Sequence, residues 1–447
     1  MTVELEGIVA RLAAEAAGPE QVEAYAEQAT TTEVSAFEGE VERLTSASSS
    51  GVGVRVVRDG RLGYAFTADL SEAGLRECLA EARANLEVSG EDAGNVLPAP
   101  AAWEPLEGVF DARQAETSPE RKVALALDLE ARTRAADPKV SRVESARYGD
   151  VVANVAIASS AGVRGAYAVT HAWCVAVALA EQDGHSQVGY GVDAGRTLED
   201  LDPGPVAREA AHRAVRMLGA AKPPTRTVPV VFDRMVAPSL LGVLAAGLSA
   251  EEVQKRRSLF ADRLGELVGA AGLRLVDDGR LVAGPGAAPF DGEGVPTRRT
   301  VLLDGGVLQS FLHDTATAAR GGGESTGNAA RASFKSTPGV SAHNLFLEPG
   351  ELDQAGLLAR AGAGLLVQDM SGVHSGANPI TGDFSVGVSG LWFRGGELAE
   401  PVREATVAAH LLDILRGIEA VGSDLEFITG SVGGSSLLIG EMTVAGE

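Results

Sequence analysis

Apolar residues recur at helical spacing near the start of the chain (Leu5, Ile8, Val9, Leu12), which predicts a helix over residues 3–17 stopped by Gly18-Pro19. From Gln21 to Thr67 the period changes to two. Val22, Ala24 and Ala26 share one face and Asp59-Gly60 reads as a tight turn, so an antiparallel meander is expected. A second helix is predicted from about Ser71 to Leu86. The stretch after it, rich in Pro, Gly, Ala and acidic residues, holds no sustained period and reads as a linker. Ser118-Pro119 is a good helix start, with Ser as N-cap and Pro in the first turn, and the apolar residues continue to about Ala136.

Between Tyr167 and Leu179 the odd positions are bulky, whereas the even positions from Ala168 to Ala180 are Ala, Thr or Cys. Such a strand admits another layer closely on its small face, which places Cys174 in a core and points His171 to the opposite side. A helix from about Pro205 to Leu218 precedes Lys222-Pro223-Pro224-Thr225, the clearest domain boundary. Beyond it come a strand from Val228 to Phe232, helical residues 236–254, and short strands with hairpin signals at Asp304-Gly305-Gly306 and Arg394-Gly395-Gly396. A final helix is expected over about 404–418.

Hairpins outnumber strand–helix alternations, so the predicted class is α+β. The expected organisation is an N-terminal domain of helices on an antiparallel sheet over residues 1–90, a linker over 91–118, and a central α+β domain over 119–220 packed with the first. A mixed, β-rich C-terminal domain with helices follows over 225–447. The length of 447 residues suits two or three cores.

A net charge of −23, with no basic run, argues against nucleic-acid binding. No uncharged stretch reaches the roughly 18 apolar residues a membrane span needs. Two cysteines make no disulfide framework, and Met1 to Glu6 lacks the basic flank and apolar block of an export signal. The expectation is a cytoplasmic protein, away from membranes.

Catalytic candidates are few. The seven histidines lie at 171, 185, 212, 313, 343, 374 and 410, so no helix presents two of them one turn apart for zinc. The glycine-rich segment 321–328 lacks the lysine of a phosphate loop and carries Glu324, so a structural turn is expected there. Asn378-Pro379-Ile380-Thr381-Gly382-Asp383-Phe384-Ser385 reads as a tight turn whose side chains cap backbone groups.

Taken in order, the segments 289–297 (PFDGEGVPT), Ser325-Thr326-Gly327-Asn328-Ala329, Asn378 to Ser385 and the terminal Met442-Thr443-Val444-Ala445-Gly446 resemble the TldD/PmbA family, once labelled modulators of DNA gyrase. The resemblance covers nearly the whole chain. It implies a heterodimeric zinc peptidase in which a TldD-type subunit carries His-Glu-x-x-x-His on a helix and a late cysteine as third ligand. Here the three motif positions are occupied by Gly242, Val243 and Gly247, and residues 428–440 contain no cysteine. The segment Ala250 to Ser258 looks like the TldE/PmbA branch.

The resemblance therefore implies a chain with no catalytic and no metal-binding residue of its own, partnered by a TldD-like subunit that holds zinc. The pair would degrade or trim unfolded peptides and peptide-antibiotic precursors. Asn328, Asn378, Thr381 and Asp383 are the candidates for shaping a groove or a subunit interface, with a structural role equally open. Two alternatives stand: a stand-alone homodimer that binds peptides without cleaving them, and a hydrolase built around Asp291, Glu293 and Asp383.

Overall fold

The computed structural model describes residues 2–428 and 430–446. The chain begins with α1 (Thr2–Ala14), β1 (Gln21–Phe37), β2 (Glu40–Arg58), β3 (Arg61–Thr67), α2 (Glu72–Val88), α3 (Ala112–Glu116), α4 (Pro119–Ala135), β4 (Val140–Ser159), β5 (Arg164–Gln182), β6 (His185–Gly195) and α5 (Pro203–Val215). The six strands form one antiparallel sheet in the order β3-β2-β1-β4-β5-β6. Two helix pairs cover one face. α1 and α2 seal Val22, Ala24, Val52, Val54, Val56 and Ala156, while α4 and α5 seal Val34, Ala146, Tyr148 and the even positions of β5 from Ala172 to Ala180. The small face of β5 is thus the helix-covered one, and Cys174 lies in that core with no accessible surface.

The segment expected as a linker is strapped across the sheet. Val109 is buried and its carbonyl accepts from the Thr170 amide at 3.0 Å. Gln114 donates to the Tyr148 hydroxyl at 2.9 Å and accepts from the Leu198 amide at 2.8 Å. Side-chain polarity hid this contact from the sequence, because the hydrogen bonds that allow Gln114 to be buried come from residues distant along the chain.

The second half comprises β7 (Arg226–Phe232), α6 (Ala237–Gly247), α7 (Ala250–Gln254), β8 (Leu275–Asp278), β9 (Arg299–Asp304), β10 (Val307–Leu308), α8 (Thr315–Gly321), β11 (Ala329–Ala330), β12 (Gly339–Val340) and β13 (Leu345–Leu347). It continues through α9 (Gln354–Ala361), β14 (Ala363–Ser371), α10 (Val373–Gly376), β15 (Asp383–Arg394), β16 (Glu397–His410), α11 (Leu411–Gly417), β17 (Ile418–Val421) and β18 (Leu437–Ala445). A sheet of order β16-β15-β14-β7-β18-β17 closes through an additional β16–β18 pairing, so five of its strands form a barrel around the largest core. The fold is α+β. No helix among the described residues is long and apolar enough to cross a membrane.

The helix expected over 404–418 is only Leu411–Gly417. Residues 405–410 instead pair with Asp383 to Val388 on β15, where β-branched Thr406 and Val407 suit the pleat and the barrel needs a closing strand. The stretch 236–254 is likewise two helices, broken at Leu248 and Ser249, where Ala250 bonds to Leu312.

Candidate functional site

α6 is positioned by its apolar stripe. Leu240, Leu241, Leu244 and Leu248 are buried at helical spacing, and Pro238 sits in the first turn, where a missing N–H does no harm. The three replaced positions differ in setting, Gly247 being buried with the stripe, Val243 at its border and Gly242 away from it. A Cβ on Gly242 would meet nothing within 4 Å, and Val243 is half-buried against the core. At Gly247 a Cβ would approach the Phe260 ring at 3.2 Å, and the Gly247 carbonyl accepts from Ser258 Oγ at 2.5 Å. A side chain at position 247 would therefore start against the ring of the buried Phe260. Among the described residues no three His, Cys, Asp or Glu side chains gather as metal ligands. The residues present do not fit a zinc ion.

The 378–385 turn lies beside this region, because the Leu259 amide donates to the Pro379 carbonyl at 2.9 Å. Asn378 Oδ1 accepts from the amides of Ile380 at 2.9 Å and Thr381 at 3.3 Å, Thr381 Oγ1 donates to Asp383 at 2.6 Å, and His410 Nε2 lies 3.0 Å from the Thr381 carbonyl. Three of the four groove candidates thus form one exposed turn next to the replaced motif. Asn328 does not join them. It is buried and donates to Asp277 at 2.6 Å and to the Ser341 carbonyl at 3.1 Å, while Asp277 accepts from the amides of His343 and Asn344.

Asp291 and Glu293 are equally far from being a hydrolytic pair with Asp383. They belong to a buried junction between the halves of the chain. Arg55 donates to Glu23 at 2.5 and 2.9 Å and to Glu293 at 2.9 Å. Arg331 bonds to Glu23 and stacks 4.8 Å from the Tyr25 ring centroid. Asp291 accepts backbone N–H from Glu293, Val295 and Ala329 at 2.9–3.0 Å. Two carboxyls, Glu23 and Glu293, therefore share two guanidiniums out of water, and Asp291 beside them is held by backbone N–H groups alone. Burial, reinforced by the charge of Glu293, pushes Asp291 up to about 8 against the pull of its three N–H donors. Burial also opposes ionisation of Glu293, but Arg55 and Thr315 hold its carboxyl below the usual range.

Beside this junction an interdomain cavity of about 190 Å³ is lined by Tyr25, Tyr167, His171, Pro285, Asp291 and Arg331. Burial, then the neighbouring Arg196, lowers His171 to about 4, so its ring is neutral near neutrality. Glu23, Arg55 and Arg331 were not singled out in the sequence. Glu23 alternates with Val22 and Ala24, so its face of β1 reads as a solvent face, whereas the C-terminal half covers it.

Comparison with known proteins gives a consistent result. The PmbA/TldA metallopeptidase C-terminal domain profile matches residues 225–446, the central domain profile 113–218, and the domain 1 profile 22–86. Metalloprotease PmbA of Escherichia coli O157:H7 is 30% identical over 421 residues, covering 93% of this chain and 90% of the relative. A metalloprotease TldD homolog of Haemophilus influenzae is 27% identical over 427 residues, covering 89% and 86%. The crystal structure of a proposed modulator of DNA gyrase from Thermotoga maritima superposes with a TM-score of 0.91 at 28% identity, covering 100% of both chains. TldE from Thermococcus kodakarensis shares the fold, with a TM-score of 0.88 at 20% identity over 95% of this chain and 97% of its own.

Proposed function

The chain belongs to the PmbA/TldD metallopeptidase family, and we propose that within it this chain is a non-catalytic subunit that pairs with a TldD-like chain. The zinc and the bond-breaking chemistry reside in that partner. This chain completes the walls of a shared cavity and holds extended, unfolded peptide by backbone pairing.

One observation carries the reading. The helix position where the family resemblance implies a second histidine is Gly247, and the Phe260 ring lies 3.2 Å from where its Cβ would be. Gly242 and Val243 offer neither a metal ligand nor a group that moves protons. The likeness to both a TldD homolog and TldE supports a partner of the same fold. Metal analysis of the purified chain tests the reading: no stoichiometric zinc is expected, and one tightly held zinc per chain contradicts it.

A further inference from the structure

A cavity of about 450 Å³ lies between β6 and the C-terminal barrel. Ser186, Gln187, Val188, Gly189 and Tyr190 all line it. Successive residues of a strand point to opposite faces, so five in a row can border one cavity only if it runs along the strand's edge. β6 is the last strand of its sheet, and its outer edge has no backbone partner among the described residues.

The turn before β6 fixes which groups face the cavity. Gln182 pairs with His185 around Asp183 and Gly184, whose φ angles of +54° and +78° fit a two-residue type I′ hairpin. The pair flanking such a turn exchanges both hydrogen bonds, and bonded and non-bonded pairs alternate from there. No register shift interrupts the β5–β6 ladder, so His185, Gln187 and Gly189 bond inward to β5. The N–H and C=O groups of Ser186, Val188 and Tyr190 therefore point outward, at the cavity.

The surroundings fit an extended chain. Leu179 and Met217 offer apolar contact, while Gln368, Asp369, Ser389 and Arg403 supply polar groups. Arg213, bonded to Asp233 and the Gln368 carbonyl and stacked 5.2 Å from the Tyr190 ring, stands at one end. Native edges are usually guarded by lysine, proline or a bulge. Residues 186–190 have none of these, and Val188 is 52% exposed. From Ser186 to Tyr190 the edge runs about 14 Å, at roughly 3.4 Å per residue.

We propose that the outer edge of β6, from Ser186 to Tyr190, is a strand-addition site for a short extended segment of unfolded polypeptide, held through the backbone groups of Ser186, Val188 and Tyr190. This rests on the peptide-holding role above and assigns it a place. The binding is independent of side-chain sequence, because the contacts are backbone to backbone.

The test uses the full chain and a dye-labelled peptide of alternating threonine and lysine, chosen to be extended and opposite in charge to the protein. A control peptide carries backbone N-methyl groups on both edges. The unmodified peptide binds and the methylated one does not. Val188→Pro removes an outward N–H without touching the β5 ladder, so it lowers affinity by about tenfold or more, whereas Val188→Ala changes it by less than about twofold. Hydrogen exchange on the unaltered chain slows at the outward amides of Ser186, Val188 and Tyr190 when peptide is added, and decides the matter if Val188→Pro does not fold. Absence of binding, equal binding of the methylated peptide, or unchanged exchange at those amides overturns the proposal. Zinc in the isolated chain would instead overturn the partner-subunit reading and leave the β6 site standing.

Discussion

Arg55 on β2 donates to Glu293 across 2.9 Å, and both side chains are sealed from water although 238 residues separate them in sequence. The pair joins the helix-covered sheet to the C-terminal half. Arg55 also has Glu23, but Glu293 has no other ion-pair partner among the described residues, so the two halves fold into contact there or leave its carboxylate uncompensated.

Arg55→Met should therefore destabilise the protein by about 3–5 kcal/mol, the usual penalty for orphaning buried charge. Adding Glu293→Gln should recover part of that loss, because one stranded carboxylate is removed and the two sites are in contact. Urea unfolding of both variants checks this. Additive losses would show that the pair is not coupled.

A second expectation concerns pH. Burial and Glu293 raise folded-state Asp291 to about 8, against roughly 3.9 in an unfolded chain. A carboxyl with a raised folded pKa binds more protons folded than unfolded, so stability falls as pH climbs between those two values. His171 acts in the opposite sense. Burial and Arg196 lower it to about 4, so it disfavours folding in acid, and stability rises until the unfolded imidazole has titrated near roughly 6.5. Between about pH 7 and 8.5 only the Asp291 slope remains of these two. Asp291→Asn, although less stable for losing an acceptor to Ala329, should flatten the stability profile in that window. An unchanged slope would place the retained proton elsewhere.

How much of this was legible beforehand depended on the kind of signal. The meander, its Asp59-Gly60 turn and the two-residue glycine hairpins rest on local chemistry and stand in the structure as read. The strand running into His410 did not read correctly, since the Ala-rich segment 404–410 takes its conformation from barrel closure rather than from local propensity. Three groove candidates, Asn378, Thr381 and Asp383, do share one turn. Asn328 sits in a buried polar network instead, because its partners Asp277 and Ser341 are distant in sequence. The Glu23–Arg55–Glu293–Arg331 junction escaped for the same reason, since long-range ion pairs leave no local pattern.

The face of α6 yields a paired prediction. Gly242→Ala adds a methyl into open space in a helix interior, so stability should rise by about 0.5–1 kcal/mol. Gly247→Ala, at the last residue of the helix, has at most that propensity gain and meets the Phe260 ring at 3.2 Å, so its net gain should be smaller or negative. Thermal unfolding of the two variants reads the difference directly. Equal gains would mean that Phe260 yields easily and that the second motif position is not closed.

The most direct test of the partner-subunit account is to purify this chain and the TldD-like chain of the same genome, separately and together, and to measure zinc content and cleavage of an unfolded polypeptide for each. The account predicts co-purification, cleavage by the mixture alone, and about one zinc per pair held by the partner. Zinc-dependent cleavage by this chain on its own would contradict it.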